Sequence, residues 1–249
     1  MLVTHNEEAR LPAALESVRF CDEVVVVDDG STDRTREIAE DAGARVVLNA
    51  PWPGFVAQRN RAVAESRHDW VLALDADERV TPVLRAEIEA LRTSRFPHAG
   101  YRIPRVAFHL GRWIRGTDWY PDPQLRLFDR RRGRWAGALV HESVQVDGTV
   151  GRLRGELEHV PYRDIASHVA KIDRYTTLWA RGAYDAGRRT SALEVALVPH
   201  LTFLRNYLVK GGVRLGWAGY TISRLNAYYT FLKLAKLAEL QRAAETSGA

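Results

Sequence analysis

Five consecutive apolar residues, Trp-Val-Leu-Ala-Leu at 70–74, are followed directly by the acidic segment Asp75-Ala76-Asp77-Glu78. An uninterrupted apolar run of this length predicts a β-strand that is buried on both faces, as the strands of parallel sheets are. Ligands of open α/β sheets bind beyond the carboxyl ends of the strands, so a ligand site is expected at these acidic residues. The segment therefore favours an α/β fold whose functional site lies at one edge of the sheet.

Asp75 and Asp77 place two carboxylates one residue apart at the end of this predicted strand. Mg²⁺ and Mn²⁺ prefer hard oxygen ligands of this kind, and a bound cation can then hold a diphosphate. The alternative is an acidic strand-to-helix turn in which Asp77 or Glu78 caps a helix that begins near Thr81. From these residues alone, the metal site and the structural turn both remain open.

A second buried strand is predicted at residues 24–27, and it ends in Asp28 and Asp29. Gly30 then permits a tight turn, and one of residues 31–33 can cap the following helix. A strand–turn–helix corner explains the glycine and the cap. It does not explain two adjacent carboxylates, which repel each other without a partner, so this corner also favours a ligand site.

Strand and helix patterns alternate over the first 93 residues, which predicts a doubly wound, mostly parallel sheet. The predicted strands are 2–4, 24–27, 44–48 and 70–74, and the predicted helices are 8–18, 33–41, 55–66 and 81–93. Residues 101–160 show shorter strand-like pieces, and the sequence becomes helical from residue 164 onward. We therefore expect a catalytic domain at 1–160 and a helical region at 161–249.

Composition and charge narrow the possible partners. A hydrophobic content of 46% and a single cysteine, Cys21, favour a globular protein in a reducing compartment. We find no signal peptide pattern and no apolar stretch long enough to span a membrane, so we expect a cytoplasmic location. Residues 1–150 carry a net charge of −2 and residues 151–249 a net charge of +7. The basic part suggests an anionic partner, but no nucleic-acid-binding signature supports nucleic acid.

The motifs of the first 80 residues, taken in order, resemble the nucleotide-sugar domain of family 2 glycosyltransferases. They are T-H-N-E-E at 4–8, V-V-D-D-G-S-T-D at 26–33, Q-R-N at 58–60 and D-A-D-E at 75–78. Later motifs resemble the bacterial subgroup that includes lipopolysaccharide-core glucosyltransferases, and the likeness extends to about residue 240. These are W-P-G-F at 52–55, Y-P-D at 120–122, R-L-F at 126–128 and V-H-E at 140–142.

This resemblance implies a GT-A fold, which is a Rossmann-like nucleotide-sugar domain, here with a helical C-terminal extension. It implies a hexosyltransferase of cell-envelope biosynthesis that uses a nucleotide sugar, UDP-linked by family analogy, and a glycan or lipid-linked acceptor. The implied donor-binding residues are Thr4, Asn6, Glu7, Asp28, Asp29, Arg59, Asn60, Asp75 and Ala76. Among them, Asp28 is expected to accept a hydrogen bond from the base.

The resemblance also implies the catalytic groups. Asp77, Asp75 and His141 are the expected ligands of Mg²⁺ or Mn²⁺, although His141 could equally contact a phosphate or lie in the core. The general base that deprotonates the acceptor hydroxyl is expected to be Glu142, with Asp122 as the second candidate. A single displacement by the acceptor would invert the anomeric configuration.

The C-terminal region leaves two interpretations open. Apolar residues recur at helical spacing between Leu225 and Ala235, and residues 195–209 are also apolar. The two helices could simply pack on the catalytic domain. Alternatively, they could form a peripheral surface on the inner face of the cytoplasmic membrane, with Lys233 and Lys236 near anionic lipid.

Two other functions compete with glycosyl transfer. A sugar nucleotidyltransferase would share the strand–helix layout but would carry a glycine-rich G-G-x-G-T-R loop where Asn6, Glu7 and Glu8 stand. A non-catalytic, transferase-like scaffold would not need the full set of carboxylates. Both are less favoured by the residues present.

Overall fold

The computed structural model describes residues 1–137 and 142–247. The strands are β1 (Leu2–Thr4), β2 (Val25–Asp28), β3 (Arg45–Leu48), β4 (Trp70–Leu72), β5 (Leu74–Asp75), β6 (Glu78–Val80), β7 (Gly100–His109), β8 (Arg112–Ile114), β9 (Asp122–Asp129), β10 (Gly133–Ala136), β11 (Ser143–Val146), β12 (Val150–Arg152) and β13 (Leu157–His159). The α-helices are α1 (Leu11–Ser17), α2 (Thr35–Asp41), α3 (Phe55–Glu65), α4 (Pro82–Thr93), α5 (Ile165–Asp185), α6 (Ala192–Leu204) and α7 (Gly216–Ser247).

A parallel sheet in the order β3-β2-β1-β5 forms the core of the first unit. Its central strand β2 is buried along its whole length, as the apolar run requires. Helices α1, α2 and α3 connect its strands, so the predicted α/β alternation is confirmed. The carboxyl ends of β1, β2 and β5 meet at one edge, where Thr4 pairs with Asp28 and Val3 pairs with Asp75.

A second, mostly antiparallel sheet was not anticipated from the sequence. Its order is β4-β9-β7-β13-β6, and β12 joins β7 in parallel. The apolar run predicted as one strand is divided between the two sheets: β4 pairs with β9, and β5 pairs with β1. The change of partner occurs at Ala73, whose N–H donates 2.7 Å to the carbonyl of Arg126.

The chain groups into two compact units. The first comprises residues 1–106 and 122–159, and the second comprises residues 107–121 and 160–249. The division into a catalytic domain at 1–160 and a helical region at 161–249 stays a prediction.

Long helices dominate the second unit. Reciprocal capping boxes begin two of them, with Asp164 and Ser167 at α5 and with Ser191 and Glu194 at α6. Within residues 1–137 and 142–247, no helix is both long and apolar enough to cross a membrane.

The two lysines expected near lipid have partners inside this unit. The Lys236 ammonium donates to the Asp173 carboxylate at 2.7 Å and to the Thr177 hydroxyl at 2.7 Å. Lys233 lies 4.8 Å from the centre of the Trp179 ring, and burial lowers the pKa of this lysine. Local contacts thus engage both ammonium groups, and the expectation that this pair meets a lipid surface stays a prediction.

Candidate active site

The corner between β2 and α2 is built around the Asp28 carboxylate. This carboxylate is fully buried. It accepts hydrogen bonds from the Thr4 hydroxyl at 3.1 Å, from the Ser31 backbone N–H at 2.8 Å and from the Ser31 hydroxyl at 2.5 Å. Asp28 and Thr4 thus hold the two strand ends together. The expected hydrogen bond from a nucleobase N–H to Asp28 stays a prediction, and most of the acceptor capacity of this carboxylate is already in use.

The neighbouring loop after β1 is tied to the same corner. Asn6 has a left-handed backbone, with φ of 54°, and its side-chain oxygen accepts from the Thr32 N–H at 2.8 Å. The Glu7 N–H donates to the Thr35 hydroxyl at 2.7 Å. The Asp29 carbonyl pairs with the His5 ring at 2.9 Å. These bonds give Asn6, Glu7 and Asp29 fixed positions at the edge of the sheet.

Two arginines take up both oxygens of Asp75. Arg59 on α3 donates to one oxygen at 2.7 Å, and Arg126 on β9 donates to the other at 2.5 Å. Burial alone would raise the pKa of the Asp75 carboxyl. The guanidinium groups of Arg126 and Arg59 outweigh burial and hold this pKa well below its usual range, so Asp75 stays ionised at neutral pH.

The same network continues through Glu78, whose carboxylate is fully buried. One oxygen of Glu78 accepts from Arg126 and from Arg105, each at 2.9 Å, and the other accepts from the Asp75 N–H at 3.0 Å. Arg105 in turn donates to Asp122 at 2.6 Å. Although burial opposes the charge of Arg126, its two carboxylate partners raise the pKa of that guanidinium above its already high value.

The network therefore alternates three guanidinium groups with three carboxylates and has no net charge. Removing one of its members would leave a buried charge without its partner. This costs far more free energy of folding than the loss of a surface ion pair. Its order is Arg59, Asp75, Arg126, Glu78, Arg105 and Asp122.

Trp135 on β10 covers the arginine end of this network. The guanidinium carbon of Arg59 lies 4.3 Å from the centre of the Trp135 ring. Asn60 clamps the Trp135 backbone, since its amide donates to the Trp135 carbonyl at 2.9 Å and its oxygen accepts from the Trp135 N–H at 3.0 Å. Asn60, expected to contact the donor, thus has its side-chain amide engaged in holding β10.

Asp77 faces a residue that sequence reasoning missed. One of its carboxylate oxygens lies 3.3 Å from Nε2 of His159, at the end of β13. The charge of Asp77 also acts on Glu7. Burial raises the pKa of the Glu7 carboxyl and Asp77 raises it further, whereas Arg10 lowers it. Adjacent ligands of an octahedral Mg²⁺ or Mn²⁺ lie about 3 Å apart, so Asp77 and His159 have a spacing that fits one cation.

The remaining predicted residues are placed as follows. Ala76 is buried between the two aspartates, and Glu142 is half-buried directly before β11. His141 lies outside the described residues. Asp122 is held by Arg105 at one oxygen, and the other accepts from Gln124 at 2.6 Å. Both oxygens of Asp122 are thus engaged within the chain, and the choice between Glu142 and Asp122 as the base stays a prediction.

Sequence reasoning named neither Arg126 nor His159 as part of the site. Arg126 stands within the R-L-F motif at 126–128, so the motif could have indicated that this arginine belongs to the site. Its partners Glu78 and Asp75 lie 48 and 51 positions away in the sequence. His159 belongs to no recognised motif. It reaches Asp77 only because β13 pairs with β6, where His159 stands opposite Glu78.

Comparison with known proteins identifies the class. Residues 1–145 match the glycosyl transferase family 2. The lipopolysaccharide core biosynthesis glycosyltransferase LpsC of Rhizobium meliloti is 31% identical over 242 residues, which cover 95% of this chain and 90% of LpsC. An uncharacterized glycosyltransferase of Rickettsia typhi is 32% identical over 251 residues, which cover 96% of this chain and 86% of that protein.

Among solved structures, a crystal structure of Staphylococcus aureus TarS 1–349 in complex with UDP-GlcNAc superposes with a TM-score of 0.49. It is 12% identical, and the match covers 99% of this chain and 90% of that one. The family match over residues 1–145 and the relatives matched over nearly their whole length establish that this chain belongs to glycosyl transferase family 2. The protein is a glycosyltransferase.

We expect Arg126→Met to lower the free energy of unfolding by about 3–5 kcal/mol, because it leaves the Asp75 and Glu78 carboxylates without their shared buried partner. Urea denaturation would measure this loss. The matched control is Arg85→Met, which removes an arginine from an exposed pair with Glu89 and should cost no more than about 1 kcal/mol. Equal losses in the two variants would show that the buried network does not anchor the site.

Proposed function

We propose that this protein is an inverting glycosyltransferase that transfers a sugar from a UDP-linked donor to a glycan or lipid-linked acceptor with the help of Mg²⁺ or Mn²⁺. The observation that carries the proposal is the pairing of Asp77 with His159 beside a buried, neutral charge network. Donor contacts by Thr4, Asn6, Glu7, Asp28 and Asp29 belong to the same proposal, since these residues line the carboxyl edge of the parallel sheet.

The residues present fit a divalent cation. Mg²⁺ and Mn²⁺ are commonly held by one or two protein groups together with phosphate oxygens and water. Asp77 and His159 would hold the cation, whereas Asp75 keeps both oxygens on Arg59 and Arg126. When bound, the cation would stabilise the negative charge of the departing diphosphate as a Lewis acid.

The chain's own groups would carry out the rest of the reaction. Glycosyl transfer passes through an oxocarbenium-like state while negative charge builds on the leaving group. Arg59, at one end of the network, would donate to that diphosphate in addition to Asp75. Glu142 would take the proton from the acceptor hydroxyl, and a single displacement would invert the anomeric carbon.

The relative LpsC, named for lipopolysaccharide core biosynthesis, suggests an envelope glycan as acceptor. The second unit offers a surface on which a lipid-linked acceptor could be met. Large apolar side chains spaced three or four residues apart are all about half exposed or more along α6 and the π-helical turn that follows. They are Leu193, Leu197, Leu201, Leu204 and Leu208.

This apolar stripe is followed by further exposed apolar residues, Val209, Val213 and Trp217, of which Val209 is 78% exposed. The exposed Lys210 and Arg214 lie among them. Apolar side chains bordered by basic ones are typical of a helix that lies in the interface of an anionic membrane. We therefore propose that the protein acts in the cytoplasm and binds peripherally to the inner face of the membrane through this stripe.

Asp77→Asn tests the metal and the donor together. Hydrolysis of UDP-glucose, UDP-galactose and UDP-N-acetylglucosamine is measured with and without Mn²⁺. In the wild type we expect Mn²⁺ to stimulate hydrolysis of at least one donor, and in the variant we expect its effect to fall at least about tenfold because one ligand is lost. Asp22→Asn, on the surface, is the control and should behave as the wild type. A rate of hydrolysis by the wild type that does not depend on Mn²⁺ would refute the metal proposal.

Glu142→Gln tests the base with water in place of the acceptor. The amide cannot accept a proton at neutral pH, so donor hydrolysis should fall by about 10²–10⁴-fold. Binding of UDP, followed by calorimetry, should not change. Glu89→Gln replaces an exposed glutamate and should leave both unchanged. If Glu142→Gln abolishes UDP binding as well, the residue shapes the donor site and another group is the base.

Replacing Leu197 and Leu201 by Glu tests the membrane contact. We expect sedimentation with phosphatidylglycerol vesicles to weaken at least about tenfold, since two apolar contacts become two anionic ones. The matched control replaces Val83 and Leu178, which are 63% and 42% exposed, by Glu. The control should bind vesicles as the wild type does. Equal loss in both double variants would show that net charge, not the stripe, governs binding.

A further inference from the structure

A cleft of about 540 Å³ lies beside strands β10 and β11, and the proposed reaction does not use it. Its volume falls within the range of small-molecule sites. The lining belongs entirely to the first unit and comes from the turn at 130–132, from β10 and from the end of β11. Its polar side chains are Arg130, Arg131, Arg132, Arg134, Gln145 and Asp147.

Arg131 differs from the other arginines of this cleft because its charge is already compensated. Its guanidinium donates to the two oxygens of Asp129 at 2.9 and 2.7 Å and lies 2.9 Å from the carboxylate of Asp69. Asp129 is buried, so this bidentate pair fixes the turn at 130–132. Arg131 therefore shapes the cleft and offers little charge to a ligand.

The other three arginines bring uncompensated positive charge to the cleft. Among the described residues, no carboxylate forms a salt bridge with Arg130, Arg132 or Arg134. Arg130 is half-buried, and its Nε is enclosed without a hydrogen-bond partner in the described part of the chain. Positive charge without a counter-ion in a partly enclosed cleft attracts an anion more strongly than the same charge on an open surface.

The backbone around the cleft holds these arginines in place. The guanidinium of Arg132 lies directly over Gly148, where a Cβ would overlap it. The carbonyl of Arg132 accepts from the Asp147 N–H at 2.7 Å. Arg134 stands opposite Gln145 in the antiparallel pairing of β10 with β11, so both side chains lie on one face of this pair. Groups carried by a tied turn and a paired strand keep the geometry that a binding site needs.

The number and type of these cations favour a phosphate group as the ligand. Guanidinium groups pair with phosphate oxygens through parallel N–H donors, and this geometry makes arginine the preferred residue for phosphate recognition. A carboxylate offers two acceptor oxygens and one charge. A phosphate ester offers three strong acceptor oxygens and close to two charges, which suits three arginines better.

Gln145 and Asp147 indicate that this phosphate is attached to a sugar. A carboxylate repels a bare phosphate, but it accepts hydrogen bonds from sugar hydroxyls, and the Gln145 amide can both donate to them and accept from them. A surface that binds lipid headgroups combines basic side chains with exposed apolar ones. Here the apolar side chain of the lining, Val146, is half-buried, which favours a sugar over a membrane.

We propose that this cleft binds a sugar phosphate of the acceptor glycan. Gln145 follows the proposed base Glu142 by three residues, which corresponds to about 10 Å along an extended chain. A short glycan spans this distance, so a phosphate held in the cleft and a hydroxyl at Glu142 can belong to one acceptor. The inference rests on the proposed function in one respect only, because it takes the acceptor to be a glycan.

Phosphorus NMR titration of the full-length chain tests this with glucose 6-phosphate and inorganic phosphate as probes. In the wild type we expect glucose 6-phosphate to bind at least about fivefold more tightly than inorganic phosphate. Replacing both Arg132 and Arg134 by Gln should weaken binding of glucose 6-phosphate at least about tenfold. The matched control replaces Arg163 and Arg181, two exposed arginines of the second unit, by Gln and should bind as the wild type does.

Asp147→Ala separates recognition of the sugar from attraction by charge. The loss of a negative charge should leave binding of inorganic phosphate as tight as before or tighter. The preference for glucose 6-phosphate over inorganic phosphate should instead fall at least about threefold, because an acceptor for the hydroxyls is lost. A variant in which this preference is unchanged would overturn the proposal. Circular dichroism verifies that each variant is folded.

Two further results would overturn the proposal. One is the absence of glucose 6-phosphate binding in the wild type, and the other is an equal loss of binding in the two arginine double variants. Sedimentation with phosphatidylglycerol vesicles tests the competing source of phosphate, a lipid headgroup. Both double variants should bind vesicles equally. A greater loss of vesicle binding in the Arg132 and Arg134 variant would assign the cleft to a lipid headgroup and refute the sugar phosphate.

Binding of UDP, measured by calorimetry on the same preparations, separates this inference from the proposed function. Protein that binds UDP but not glucose 6-phosphate refutes the cleft assignment and leaves the proposed donor intact. Protein that binds glucose 6-phosphate through Arg132 and Arg134 but does not bind UDP supports the cleft assignment and refutes the proposed donor.

Discussion

The shared hydrogen bonds of Arg126 with Asp75 and Glu78 are the interaction on which the site depends. Asp75 ends a strand of the parallel sheet, whereas Arg126 and Glu78 belong to strands of the second sheet. One buried guanidinium therefore links the carboxyl end of β5 in the parallel sheet to strands β6 and β9 of the second sheet. Asp77 stands between the two carboxylates that Arg126 holds, so its position is set from both sides.

The two aspartates of the acidic segment consequently have different roles, which the sequence alone does not reveal. Asp75 and Asp77 are one residue apart and chemically identical, yet the first is neutralised by two arginines and the second faces His159. Removing a carboxylate from water is costly unless a cation compensates for it. Here the protein supplies that cation for Asp75, whereas Asp77 keeps its oxygen near an imidazole, where a metal ion could be accommodated.

Local patterns predicted the parallel core well, because the apolar residues of each strand indicate its burial. They predicted helix capping less well: α2 begins without a side-chain cap, and Thr81, not Asp77 or Glu78, caps α4. They predicted neither the break at Ala73 nor its cause, since an apolar run does not reveal which partner strand each half will choose. The arginine partners of Asp75 could not be predicted for a related reason. Arg126 lies far along the chain and contacts Asp75 only because of the way the strands pair. Likewise, helical spacing placed Lys233 and Lys236 on a polar face, but it could not show that Asp173 and Trp179 lie beside them.

The hydrogen bonds of Asn60 to the Trp135 backbone have a consequence for the position of the proposed base. Trp135 lies on β10, and the register of the β10–β11 hairpin sets Ala136 opposite Ser143, the residue directly after Glu142. An amide on helix α3 therefore holds β10 near its end, and β10 in turn pairs with the strand that directly follows Glu142. A change at residue 60 would therefore act on the proposed proton transfer through the β10–β11 hairpin, although Asn60 itself lies outside that hairpin.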